Sequence, residues 1–550
     1  MSDLDKLILK YTLKNAVKHG KANPKAVMGK VLGENPKLRS QAKEVLEEIE
    51  KTVETVNAWS TNQQANKLRR VWPTAFAEEK KEEEERLKPL KKAGKGIVTR
   101  IAPNPNGPPT MGSTRGIVIN SEYAKKYEGT FIMRFDDTDP ATKAPIKDAY
   151  KWYVEDAEWL GCKPDKVVIV SEHLPQYYEY AEKMIKEGHC YICECTGPEF
   201  KKLKDKKKPC PHRNKSPKEN MTGWKKMLDG RYKEGEAVLR VKTDIEHPDP
   251  ALRDWVAFRI LEAEHPHMGK KFRVWPMLDF EGAIEDHLQG VTHIIRGKDL
   301  RDSTLRQKFL YEYLGWEYPV TYYWGRVAMH GFGKISTSGI SEGIGKGEYS
   351  DWDDPRLPTL KALKRRGFNA EAIREFWIDL GLTEKDISAS MKNLEAFNKK
   401  FVEQGNRYFF VHEPKEITVK EIPLTRVALK KHPDKPDRGI KKYEFEGEQK
   451  FLVPSKDLSD EFRLKDAFNI KKQGEEYVYA GKELRNNPKI QWVTPESIDV
   501  QVIMPDATKL EGKAERYLEE AKEGQLVQFE RFGFLKLDSK EPMTLYYTQP

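Results

Sequence analysis

The sequence holds five cysteines in 550 residues, and four of them fall between positions 190 and 210. Thiols this few and this clustered make no disulfide framework and fit a reducing compartment. No His-Glu-x-x-His pattern occurs, which removes the commonest zinc-hydrolase signature. No Ser–His–Asp arrangement stands out. No run of about 18 apolar residues occurs, so no membrane span is expected. The opening stretch MSDLDKLILKYTLKN lacks a signal-peptide core and cleavage site, so the cytoplasm is the expected location. No internal repeat is evident.

Charge is abundant. Asp, Glu, Lys and Arg make up 33% of the chain against 38% hydrophobic residues, with a net charge of +10. This composition describes a soluble chain of three to five domains, and its positive balance suits a polyanionic partner.

The most informative stretch is TRIAPNPNGPPTMGS (Thr99–Ser113), followed by FIMRFDDTDP (Phe131–Pro140). Ile97, Val98 and Ile101 form a β-prone run. Pro103, Pro105, Pro108 and Pro109 cannot donate to a ladder, so the strand ends there. Ser113 is a candidate N-cap for a helix carrying Ile117, Ala124 and Tyr127, with Gly129 as its C′ stop. A helix start beside a strand end presents free N–H groups and a positive dipole end to phosphate. Gly107 permits a turn, and Gly112, lacking a Cβ, lets a flat base approach the backbone.

The chain divides into six stretches. Residues 1–95 read as a helical extension, with Glu78–Lys92 as a mixed-charge spacer. Residues 96–189 and 286–340 read as two halves of a parallel α/β sheet, which includes strands Val167–Val170 and Val291–Ile295. Residues 190–285 interrupt it as an insertion with strands such as Ala237–Thr243. Residues 341–405 read as a helical connector. From 406 to 550 short β-prone runs (Tyr408–Val411, Ile417–Ile422, Lys450–Val453, Gly524–Phe532) indicate antiparallel β-barrels.

Within the insertion, Cys193-x-Cys195 and Cys210-x-His212 form two close pairs. Three thiolates and an imidazole suit tetrahedral Zn²⁺, and with all four positions filled the metal would be structural. The alternative is free cysteines in a reduced loop. Cys190 is a competing ligand and Cys162 reads as a packing residue.

The stretch ending Thr110-Met111-Gly112-Ser113 resembles the first signature of class I aminoacyl-tRNA synthetases of the glutamyl/glutaminyl subgroup, where the last four positions usually spell H-I-G-H. RFDDTDP, VWPMLDF (Val274–Phe280), GVTHIIRGKDL (Gly290–Leu300) and DWDDPRLPTLKALKRRG (Asp351–Gly367) resemble later blocks, in family order. MHGFGKISTSG (Met329–Gly339) is similar to the second signature, K-M-S-K-S, as Lys334–Ser338. Taken together, the blocks resemble the archaeal type of glutamyl-tRNA synthetase. It implies a Rossmann-like catalytic domain, an acceptor-binding insertion and a β-barrel anticodon-binding region.

The resemblance also implies site residues. Thr110, Gly112, Ser113, Lys334, Ser336 and Ser338 take the signature positions, and Pro103, Gly107, Gly112 and Lys334 meet ATP. Arg100, Ala102, Asn104, Asp136 and Arg296 hold glutamate, with Arg296 on the γ-carboxylate and Asp136 on the α-ammonium. Both signature histidines are absent, Thr337 stands at the second signature's second lysine, and Leu278 stands at a substrate-facing tyrosine. Lys346, Trp275 or a tyrosine elsewhere are candidates to compensate.

Implied partners are ATP with Mg²⁺, L-glutamate, tRNA-Glu and tRNA-Gln, a tRNA-dependent amidotransferase acting afterwards, and no membrane; a monomer is expected. Lys361–Arg366 and Lys430–Lys442 are candidate phosphate contacts, and Tyr408, Phe409 and Phe410 are either base-stacking platforms or barrel core. Two rivals stand. A glutaminyl enzyme needs an uncharged group at 296. A tRNA-binding paralogue without catalysis would explain the lost signature residues.

Overall fold

A computed structural model describes residues 2–74, 86–331 and 336–550. Residues 75–85, which include the first part of the charged spacer, and Lys334 lie outside the described residues.

Four helices, Asp3–His19, Pro24–Glu34, Ala42–Asn57 and Thr61–Val71, open the chain. Ser2 and Ser60 begin two of them with capping boxes, and Asn23 caps a third ahead of a proline. Their shared core includes Ile8, Leu13, Val27, Val31, Ile49 and Val56.

The central sheet is parallel and built in two pieces. Val98–Ile101 pairs with Thr130–Phe135, which pairs with Lys166–Ile169. His293–Gly297 pairs with Val320–Trp324. The Thr292 N–H donates to the Val98 carbonyl at 3.0 Å and joins the pieces edge to edge. The resulting order, 3-2-1-4-5, is that of a doubly wound fold. Its direction reverses between Val98–Ile101 and His293–Gly297, where ligands bind beyond the carboxyl ends of the strands. Arg100 and Arg296 lie on these two strands.

Between the halves sits a four-stranded antiparallel sheet of Cys190–Cys193, Val238–Val241, Val256–Ile260 and Val274–Pro276, packed on Trp224, Phe258 and Trp275. The helix Leu278–Leu288 then returns to the central sheet. The connector holds helices Leu360–Arg366, Ala370–Leu380 and Met391–Val402, and also a short strand, Ile387–Ser390, parallel to Val327–His330.

The C-terminal region forms a six-stranded and a seven-stranded curled sheet. Most neighbours are antiparallel, but four pairs, including Asn406–Tyr408 with Leu526–Phe529, are parallel. These partners come from distant segments that close each sheet, where no hairpin dictates direction. Tyr408 and Phe410 enter one core and Phe409 the other, so all three are packing residues. Among the described residues no helix is long and apolar enough to cross a membrane.

Candidate active site

The first turn is fixed from outside. The Met111 N–H donates to the Pro358 carbonyl and the Leu360 N–H to that of Pro109, both at 2.9 Å. This clamp holds Thr110 extended (φ −103°, ψ 168°), so Thr110, not Ser113, is the N-cap of helix Met111–Lys126. Ser113 sits in the first turn, its Oγ accepting from the Thr110 N–H at 2.9 Å and lying 3.1 Å from the Thr110 carbonyl. Hydroxyls thus order the helix start where the family signature has histidines. Gly112 is exposed, with only Thr110 Oγ1 near the place of a Cβ.

The helix ends differently from expectation. Glu128 (φ 50°), not Gly129, is the left-handed residue. Gly129 follows it, its N–H donating to Ala124 at 2.8 Å, because any Cβ there would collide with the Ile97 backbone.

Pro103 and Asn104 hold the second strand end. The Asp136 N–H donates to the Pro103 carbonyl at 3.0 Å, and Asn104 Nδ2 donates to the Asp136 carbonyl at 3.1 Å. Ala102 lies half-buried just before them.

The two signature segments touch. A Cβ on Gly107 would overlap Thr337 Cγ2 and lie 2.8 Å from Trp352 Cη2. Thr337 therefore packs on the first turn. Ser336 caps helix Thr337–Gly345, accepting from the Gly339 N–H at 3.1 Å, and Ser338 is exposed in its first turn. Lys346 pairs with Glu342 at 2.6 Å. Beside Gly112 a cleft of about 320 Å³ is lined by Arg115, Asp299, Trp324, Val327, Met329 and Trp377. Arg115 donates to the carbonyls of Gly325 and Gly381, and burial lowers its pKa to about 10.

A buried charge network lies between the sheet halves. Arg100 donates through Nε and Nη2 to the two oxygens of Asp286, at 2.9 and 3.0 Å. Arg134 donates Nη1 to Asp286 at 2.6 Å, and Nε and Nη2 to Asp136 at 2.7 and 3.1 Å. Burial alone would raise the Asp286 carboxyl, but Arg100 and Arg134 hold it below its usual range. Burial raises Asp136 despite Arg134, and burial with Asp136 nearby raises Glu281 well above the usual range. Glu285 receives the Tyr177 hydroxyl at 2.6 Å and lies 2.7 Å from His173 Nδ1.

Arg296 differs from its two neighbours. It is 7% exposed, and no carboxylate among the described residues lies within ion-pair distance. Its Nη2 donates to Thr304 Oγ1 at 2.6 Å and Gln307 Oε1 at 3.0 Å, with Tyr318 Oη at 3.3 Å. Its Nε is buried without a partner. Burial pulls its pKa down. A buried guanidinium costs on the order of several kcal/mol unless paired, so this geometry suits an acidic ligand.

Leu278 is exposed at the family tyrosine position, and Trp275 is sealed against His265. Two tyrosine hydroxyls serve the Arg296 cradle: that of Tyr318 lies 3.3 Å from Nη2, and that of Tyr323 donates to Thr304 at 2.5 Å.

Sequence reasoning missed Arg134, Glu281, Glu285, Asp286, Thr304 and Gln307. One signal was available. LDFEGAIEDHL places four acidic residues among Phe280, Ala283 and Ile284 in a helix buried on nearly every side. Acidic groups in such a helix need cationic or hydrogen-bonding partners.

In the insertion, the ligand atoms of Cys193, Cys195, Cys210 and His212 all lie within 4.8 Å of one another. The Cys193 and Cys210 sulfurs are 3.9 Å apart, close to the ~3.8 Å edge of a tetrahedron with zinc–sulfur bonds of about 2.3 Å. Cys190 is directed into the apolar core instead. Of the basic clusters, Arg366 is buried and Arg365 is ion-paired with Asp353 and Asp538.

Residues 96–404 match the family described as tRNA synthetases class I (E and Q), catalytic domain. Residues 405–484 and 489–538 match its two anticodon-binding domains. A protein of Methanocella arvoryzae named glutamate–tRNA ligase is 48% identical over 570 residues, covering 100% of this chain and 99% of that one. Its namesake in Archaeoglobus fulgidus is 48% identical over 560 residues, covering 100% of each. That of Methanosarcina mazei is 48% identical over 555 residues, covering 97% and 96%. The chain belongs to the class I tRNA synthetases of the E and Q group.

Proposed function

We propose that the protein is a glutamate–tRNA ligase. The reading rests chiefly on Arg296, whose buried guanidinium has three uncharged oxygen neighbours at Nη2 and an unpartnered Nε. The γ-carboxylate of glutamate is the anion that fits. A glutaminyl enzyme would not leave a charged group there.

In the reaction the α-carboxylate of glutamate attacks the α-phosphorus of ATP, forming glutamyl-adenylate and releasing pyrophosphate. The 3′-terminal ribose hydroxyl of tRNA then attacks the activated carbonyl, giving glutamyl-tRNA and AMP. Neither step needs a protein nucleophile, so the work is positioning and charge stabilisation. Arg296 orients the side chain, with Arg100 beside it. Asp136 takes the α-ammonium, sharing its carboxylate with Arg134. Gly112 and the N-terminus of helix Met111–Lys126 receive the nucleotide, and the Lys334–Ser338 segment covers the phosphates. Mg²⁺ arrives with ATP and neutralises phosphate charge.

Cys193, Cys195, Cys210 and His212 hold one structural Zn²⁺. The product classes are glutamyl-tRNA-Glu and glutamyl-tRNA-Gln, the second passing to an amidotransferase, and the enzyme works as a monomer in the cytoplasm.

The test is ATP-dependent attachment of labelled glutamate or glutamine to tRNA-Glu and tRNA-Gln transcripts. Glutamate on both tRNAs is expected. Glutamate on tRNA-Glu alone removes the relaxed specificity. Glutamine transfer overturns the reading of Arg296. Binding of tRNA without transfer of either amino acid makes the chain a non-catalytic paralogue.

A further inference from the structure

We propose that Gln307 is a positioning residue that sets the preference for a negatively charged substrate, by holding Arg296 without neutralising it. The inference rests on the reading of Arg296 given above.

Gln307 lies on helix Arg301–Leu314 and is 2% exposed. Its Oε1 accepts from Arg296 Nη2 at 3.0 Å and from the Tyr318 hydroxyl at 2.8 Å. Two donors on one atom fix the amide's orientation, oxygen toward Arg296. The Nε2 end faces Gly282, where a Cβ would lie 3.1 Å from it and 3.3 Å from Arg134 Nη2. Thr304 completes the cradle, accepting from both Arg296 and Tyr323. The two hydrogens of Arg296 Nη2 are thus spent on uncharged oxygens.

The contrast with the neighbouring arginines gives this cradle its meaning. Arg100 and Arg134 are each held by carboxylates. A glutamate at 307 would fill almost the same volume and pair Arg296 in the same way. An amide keeps the geometry and puts no carboxylate in contact with Arg296, so that direct pairing falls to the bound carboxylate. In Gln307→Glu, Arg296 would already carry a partner. The incoming γ-carboxylate would then meet a like charge, whereas the neutral amide of glutamine would not.

The experiment is tRNA-dependent pyrophosphate exchange with glutamate and with glutamine, for the wild type, Gln307→Glu, Gln307→Leu and Arg296→Ala. For Gln307→Glu, the KM for glutamate should rise roughly tenfold or more, with kcat within threefold and the KM for ATP unchanged. The glutamate-to-glutamine ratio of kcat/KM should fall by at least the same factor. Gln307→Leu keeps the volume, adds no charge and serves if the glutamate variant does not fold. It should raise the KM for glutamate about two- to tenfold by loosening Arg296 while retaining preference for glutamate. A merely structural role would raise both KM values together and leave the ratio unmoved. If Arg296→Ala raises the KM for glutamate but both Gln307 variants leave it within twofold, the role of Gln307 is overturned. If Arg296→Ala also leaves it unchanged, the reading of Arg296 itself falls.

Discussion

Arg100 lays two nitrogens on the two oxygens of Asp286, and neither residue is more than 5% exposed at its side chain. The pair ties the first strand of the sheet to helix Leu278–Leu288, and Arg134 joins it from the second strand. Removing the carboxylate leaves the buried Arg100 guanidinium unpaired and Arg134 with Asp136 alone. Asp286→Asn should therefore cost about 3–5 kcal/mol of stability, read as a drop in urea midpoint. Pyrophosphate exchange should fall with it, since Arg100 would lose its fixed orientation. An unchanged midpoint would remove Asp286 from the framework of the site.

The contact between Gly107 and Thr337 couples the two signature segments. Gly107→Ala should clash with Thr337 and Trp352 and slow adenylate formation, with an overpacking cost of about 1–3 kcal/mol. Thr337→Ser removes the methyl group that collides most closely. The double variant Gly107→Ala/Thr337→Ser should recover part of the lost exchange rate, and no recovery would separate the two segments functionally.

The four-residue cluster of the insertion makes a metal prediction. Protein purified without chelator should carry about one zinc per chain by elemental analysis. Cys210→Ser should lose the metal and lower the melting temperature. Metal-free wild type with unchanged melting would refute the site.

His173 and Glu285 give a pH dependence. The hydrogen bond that His173 donates to the Glu285 carboxylate raises the His173 pKa above its ordinary value. The folded state therefore binds the proton more tightly than the unfolded chain. The stabilisation is full below about pH 6.5 and is lost as pH rises through the folded pKa. Wild-type urea midpoints should fall between pH 6 and pH 9 relative to those of His173→Gln. Parallel pH profiles would show that the pair contributes no such linkage.

Local chemistry made much of the architecture readable. Prolines after Ile101 force the strand to end, and the strand–turn–helix order of Thr99–Lys126 dictates a parallel sheet. Arg296 could be placed at a strand end because a buried apolar run precedes it. The cap could not be placed correctly, because Thr110 is held extended by Pro358 and Leu360, some 250 positions away. The pairing of Arg134 with Asp286 was hidden for the same reason. Asp286 lies 152 positions from Arg134, and only the fold brings them together. Leu278 leaves a family contact unfilled, while hydroxyls from Tyr323, the register partner of Arg296 on the neighbouring strand, and from Tyr318 just before that strand reach the Arg296 cradle.

The most direct test of the account is the KM for glutamate in Arg296→Gln, measured by tRNA-dependent pyrophosphate exchange beside the KM for ATP. Loss of the unpaired buried guanidinium should raise the glutamate KM by roughly a hundredfold and leave that for ATP unchanged. A glutamate KM within twofold of wild type would contradict the claim that Arg296 awaits the substrate's side-chain carboxylate.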